Sequence, residues 1–224
     1  MATDPALLRL LQLVSPSLPV GMYSYSQGLE TAVAEGWVHD ATSARDWLHA
    51  VLTRSLARTD APILLRLMDA WQSDDSAKVL LWSETLAAFR ETAELRLEDR
   101  QMGLALVRVL EGLGLAEAKA WHRHTSLTFA AMFALAAVRW RISQSEAING
   151  YLWSWLENQV LCAIKLVPLG QAAGQGMLYE LAGLIPAQTE LALTLGDDDL
   201  GGSVFGLALA SSRHEMQYSR LFRS

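Results

Sequence analysis

The sequence is nearly without thiols: Cys162 is its one cysteine in 224 residues. An internal disulfide framework is thereby excluded, as is any thiolate metal cluster, and the usage fits a reducing compartment. Basic blocks are missing as well, and the net charge of -6 removes the electrostatic basis for binding nucleic acid, where phosphate contacts dominate affinity. No apolar run is long enough for a membrane. The longest, Leu127 to Val138, has twelve residues where roughly 20 are needed. The start, MATDPALLRL, carries an acid before its apolar run instead of the basic segment of a secretory signal. On these absences the expectation is a soluble cytoplasmic protein. Alternation of apolar and polar residues is also lacking, and Thr, Val and Ile are sparse beside Ala and Leu, so no strand is expected.

What the sequence has in quantity is helical pattern. Asp4-Pro5 reads as an N-cap and first turn, followed by Leu7, Leu8, Leu11 and Val14 at helical spacing. A second helix is expected from Tyr23 to Glu35, and a third is opened by a capping box of Ser43 with Asp46. Asp60-Ala61-Pro62 starts another. A long helical pattern runs from Ser76 to about Glu111, with an interruption near Glu91 or Gly103. Ser143 and Glu146 form a capping box for a helix closed by Pro168, and shorter helices follow to about residue 213. With no repeat and no linker, the expectation is one all-α domain over 1–224, a bundle of about ten helices. Half of the residues are hydrophobic and eight are tryptophan, so part of the apolar surface is expected to face partners.

Three segments carry candidate chemistry. On the helix containing "ETAELRLEDRQMG" (91–103), Leu86, Phe89, Ala93, Leu97, Leu104 and Val107 fall on one stripe with Arg100 in its middle. Leu95, Met102 and Leu106 form a second stripe with Asp99 beside it. A guanidinium in an apolar stripe requires a carboxylate or carbonyl partner, in an internal ion pair or at a subunit interface, so Glu94, Asp99 and Arg100 are read as structural or interface residues. Glu91, Glu94 and Glu98 form an acidic ridge, read as solvated over the alternative of paired carboxylates in a small-molecule hydrolase.

"KLVPLGQAAGQGMLYE" (165–180) clusters Gly170, Gly174 and Gly176 but matches no phosphate-loop spacing. Its glycines are read as sites of close helix approach, with Lys165, Gln171 and Gln175 as polar contacts for a partner. The tail "SSRHEMQYSRLFRS" (211–224) combines Arg213, Arg220 and Arg223 with Met216, Tyr218, Leu221 and Phe222. Such a terminus either folds back on its own core or docks in another protein's groove, and docking is the expectation. No metal site is expected, because His122 and His124 point to different helix faces while His39, His49 and His214 stand alone. No G-x-S-x-G elbow is present.

The segments "LLQLVSPSLPVGMYSYSQGLE" (10–30), "ELRLEDRQMG" (94–103), "KLVPLGQAAGQ" (165–175) and the tail resemble the UreF family of urease accessory proteins over almost the whole chain. The resemblance implies a homodimeric helper, itself no enzyme and without a cofactor of its own. It binds UreD (also called UreH), recruits the nickel-carrying GTPase UreG and assists nickel insertion into apo-urease. Control of GTP hydrolysis is implied either as activation or as a fidelity gate, with Arg220 or Arg100 as candidates for a trans-acting arginine. On this basis Tyr23, Ser24, Ser26, Glu30, Lys165, Gln171 and Gln175 are assigned to a UreG-facing surface. Arg213, Met216, Tyr218, Arg220, Leu221 and Phe222 are assigned to a UreD-facing tail. The alternative is a metallochaperone that binds nickel itself.

Overall fold

The computed structural model describes residues 5–224, among which every regular element is helical. Eleven α-helices follow in order: α1 Pro5–Leu13, α2 Leu29–Ala34, α3 Ala41–Val51, α4 Asp60–Gln72, α5 Ser76–Phe89, α6 Ala93–Gly112, α7 Phe129–Arg139, α8 Gln144–Leu166, α9 Gln171–Ala182, α10 Ile185–Thr194 and α11 Phe205–His214. The all-α expectation holds. The cap expected at Asp4 lies outside the described residues.

The helix starts follow from local hydrogen bonding. Ser143 accepts from the Glu146 N–H while the Glu146 carboxylate accepts from the Ser143 N–H, the expected capping box. At α3 the box is shifted: Asp40 is the N-cap and Ser43, three residues on, its partner, with the Asp40 carboxylate 2.7 Å from the Ser43 nitrogen. A π-helical turn, Leu52–Leu56, continues α3.

The long pattern from residue 76 breaks at Arg90 to Thr92, where Arg90 turns extended and Thr92 caps α6 by accepting from the Leu95 N–H. This break cancels the single stripe expected through residues 86 to 107. Leu86 and Val107 are buried, whereas Phe89 and Leu97 face outward on two helices that are out of phase.

The centre of the molecule is α7, in which Phe129 through Ala137 are all buried. Its alanines let α4, α5, α6 and α8 approach from all sides, which is why a short helix can be apolar around its whole circumference without crossing a membrane. No helix among the described residues is long and apolar enough to span a bilayer. Phe129, Phe133 and Tyr151 pack together at centroid distances of 5.3 to 6.0 Å where α7 meets α8, with Phe133 edge-on to Tyr151. On the outside, α9 lies on α8 and α3, and α11 lies on α2. Gly174 faces Ile164, and a Cβ there would fall 2.3 Å from the isoleucine side chain, so close approach explains this glycine; Gly170 and Gly176 face open space.

Candidate functional site

The helix expected from Tyr23 to Glu35 is instead a structured loop and a short helix. Met22–Ser24 form a 3-10 turn, Tyr25 is extended, and Gln27 and Gly28 are both left-handed, at φ 52 and 77. Two consecutive left-handed residues cannot continue a right-handed helix, so α2 begins only at Leu29. Gly28 is required twice over: by its φ, and because a Cβ would sit 3.0 Å from the Ser211 backbone nitrogen, where α2 crosses α11.

Tyr25 and Gln27 point inward. Tyr25 donates its hydroxyl to Gln101 at 2.7 Å, and its carbonyl accepts from Asn158. Gln27 accepts from the Trp155 indole N–H and donates to Glu98 at 2.8 Å.

The tail closes over this loop. Ser26 donates both its backbone N–H and its hydroxyl to the Ser224 carbonyl, at 2.8 and 2.7 Å, and the Arg223 N–H donates to the Ser24 carbonyl. The Glu30 carboxylate accepts the Leu221 and Phe222 backbone N–H groups at 2.6 and 2.8 Å. His214, fully buried, sits between Glu94 at 2.7 Å and Glu30 at 3.5 Å. Arg220 binds Glu94 at 2.6 Å and donates to the carbonyls of Glu215 and Gln217. Phe222 is buried, with the Lys165 ammonium 5.7 Å from its ring centroid.

The tail therefore folds back on its own chain, and the expected groove binding is corrected on that point. Glu30 is the physical reason, since one carboxylate aligned with two successive N–H groups gives charge-assisted bonds that hold an otherwise extended segment.

This arrangement redistributes the expected surfaces. Ser26 and Glu30 are buried under the tail, Ser24 is half-buried, and Tyr23 remains 66% exposed. Lys165 is exposed and joins the loop and tail through Phe222, whereas Gln171 and Gln175 are exposed on α9 with no bond to either. Of the tail, Arg213 pairs with Glu35, and Met216, Tyr218 and Leu221 point to solvent. Loop, tail and Lys165 form one continuous surface.

The acidic ridge is solvated only at its start: Glu91 is exposed, Glu94 half-buried and Glu98 buried. Glu91 accepts from Ser203, Glu94 holds His214 and Arg220, and Glu98 is 3% exposed. Burial pushes the Glu98 carboxyl up to about 7, against the opposing hydrogen bonds from Ser224 and Gln27. The folded protein thus holds this proton more tightly than the unfolded chain does. Glu98 therefore contributes stability that grows as pH falls from about 7 toward 4.5 and is lost as pH rises through 7. Urea denaturation of the wild type and of Glu98→Gln at pH 5.5 and 8 checks this: the wild type is expected to gain on the variant at the lower pH.

The arginine that carries the ion pairs is Arg90, not Arg100. Its guanidinium binds Asp60 at 2.6 and 3.1 Å and Asp99 at 2.9 Å, and Asp99 also accepts the Phe129 N–H that opens α7. Burial works against the charge on Arg90, but the two carboxylates outweigh it and hold its pKa well above the ordinary value. Arg100 makes no ion pair among the described residues. Periodicity missed Arg90 because it stands in the helix break, and missed Asp60 because a helix start looks like a cap.

The cavity beside this cluster, lined by Asp60, Arg90, Glu98, Tyr151 and Trp155, has about 60 Å³, well below the roughly 300–1,000 Å³ of small-molecule sites. Burial raises the Cys162 thiol to about 12, so it is an inert core group. No group of three His, Cys, Asp or Glu is placed to hold a metal ion among the described residues.

Comparison with known proteins extends these observations. The UreF family model matches residues 38–182. The urease accessory protein UreF of Alkalilimnicola ehrlichii is 52% identical over 224 residues, covering 99% of this chain and 98% of that protein. The protein of the same name from Pseudomonas putida strain W619 is 49% identical over the full length of both chains. That of Alcanivorax borkumensis is 46% identical, with 99% of each covered. These alignments include the loop and the tail as well as the central helices, and they show that the chain belongs to the UreF family of urease accessory proteins.

Proposed function

We propose that this chain serves urease maturation as a homodimeric docking subunit in the cytoplasm, with no chemistry of its own. It binds UreD through the outward side chains of its tail and recruits UreG beside them, so that GTP hydrolysis is timed to nickel insertion into apo-urease. The observation that carries this reading is the joining of loop and tail: a presented tyrosine, an exposed lysine and three solvent-facing apolar side chains share one rigidly hydrogen-bonded surface. Rigidity lowers the ordering cost of association, and exposed tyrosine and methionine are common anchors at interfaces. Family membership supports the same direction.

The test reconstitutes UreG, UreD, apo-urease and nickel with this chain and follows GTP hydrolysis and urease activity. Tyr23→Ala and Lys165→Ala are each expected to reduce activation about tenfold at unchanged thermal stability. Substituting serine at Met216, Tyr218 and Leu221 together is expected to abolish co-purification with UreD while the buried Phe222 keeps the tail seated. Full activation by both alanine variants, or an undiminished UreD complex, would remove the surface from the account.

A further inference from the structure

The outward face of α6 is separate from the loop and tail surface, and its arginines meet no carboxylate among the described residues. Leu95, Asp99, Met102, Leu106 and Leu110 face the core, whereas Leu97 is 52% exposed and Leu104 half-buried. Among these leucines stand Arg96, Arg100 and Arg108, none of which meets a carboxylate among the described residues. Arg96 donates only to the Arg90 carbonyl.

The acids of the same helix are engaged elsewhere: Glu94 with His214 and Arg220, Glu98 with Gln27 and Ser224, Asp99 with Arg90, and Glu111 with His122 at 2.7 Å. In a chain with net charge -6, three unpaired arginines within thirteen residues are a local reversal of sign. The surface beside them is concave. A cleft of about 330 Å³ opens between Arg96, Arg100 and Thr125, and another of about 650 Å³ lies where Arg108 and Leu113 face Leu11 of α1.

We propose that this face of α6 is a docking surface for an acidic amphipathic segment of a partner protein, with its apolar side chains on Leu97 and Leu104 and its carboxylates on Arg96, Arg100 and Arg108. The arginines stand about 6 and 12 Å apart along the axis, a rise that carboxylates at i, i+4 and i+12 of a facing helix reproduce. Guanidinium groups bind carboxylates in bidentate fashion, which lysines do not. The leucines between the charges favour a protein segment over a polyanion, since a phosphate backbone has nothing to place on them.

The test uses the full chain with the photoreactive residue p-benzoylphenylalanine in place of Leu97 or, separately, Leu104. It is expressed together with the urease subunits and the other accessory proteins, irradiated, and its adducts are sequenced by mass spectrometry. The expected adduct is a segment of another protein with acids at helical spacing and apolar residues between them. Its yield falls about tenfold in Arg96→Glu/Arg100→Glu/Arg108→Glu and much less in the triple lysine variant. Circular dichroism is expected to show both variants folded, as Arg96 and Arg108 are exposed and the half-buried Arg100 makes no ion pair among the described residues. An adduct to a second copy of this chain, to nucleic acid or to a non-acidic segment would overturn the proposal. So would the absence of any adduct, or a yield indifferent to charge reversal.

Discussion

Replacing Arg90 with methionine is expected to lower the unfolding free energy by about 3–5 kcal/mol, the usual cost of stranding one side of a buried ion pair. Asp60 and Asp99 are 3% and 4% exposed, and without the guanidinium each would keep a single donor: the Tyr151 hydroxyl at 3.3 Å for Asp60 and the Phe129 N–H for Asp99. A chain of this size shifts its melting midpoint by about 2–4 °C per kcal/mol, so a fall on the order of 10 °C is expected in a calorimetric scan. The triple change Arg90→Met, Asp60→Asn, Asp99→Asn removes all three charges and is expected to recover most of that loss. Recovery would assign the damage to uncompensated charge, whereas equal loss in both variants would assign it to shape. The cluster ties the starts of α4 and α7 to the break between α5 and α6, so it fixes where α6 begins and hence where Glu94 and Glu98 meet the tail.

Replacing Glu30 with alanine is expected to release the tail without unfolding the bundle. The variant loses two charge-assisted bonds to successive backbone N–H groups, each worth about 1.5–3 kcal/mol, and leaves His214 with Glu94 alone. Local opening of residues 221–224 is expected to become easier by on the order of 3 kcal/mol, about a hundredfold in amide exchange at Phe222. Global stability, set by the α4 and α7 core, is expected to change far less. Because the surface proposed for UreD and UreG exists only with the tail seated, urease activation should fall with it. Glu30 is thus expected to matter as the anchor of a surface, although it is hidden beneath it.

Much of this architecture was legible in local sequence. The capping box at Ser143 and Glu146, the glycine against Ile164 and the interruption near Glu91 depend on neighbours within a few turns, and they appear as expected. The loop was not legible, because Gln27 looks like a helical residue until it is seen left-handed beside Gly28. Periodicity points to Arg100 over Arg90 because a single stripe through residues 86 to 107 ignores the break that Thr92 makes by capping α6. The tail's seat depends on bonds between residues 191 and 192 positions apart, which no periodicity encodes. The family motifs point to Glu30 and the tail arginines as partner contacts and to Glu94 as a structural or interface residue; within this chain Glu30 holds the tail backbone and Glu94 holds Arg220.

The claim that loop and tail form one unit is tested most directly by residue-resolved amide exchange in the wild type and in Glu30→Ala. Protection at Leu221, Phe222, Arg223 and Ser26 is predicted to be lost together while the amides of α4 and α7 keep theirs, because the Ser26 N–H is covered only by the Ser224 carbonyl. A Ser26 amide that stays protected after the tail residues have opened would contradict it.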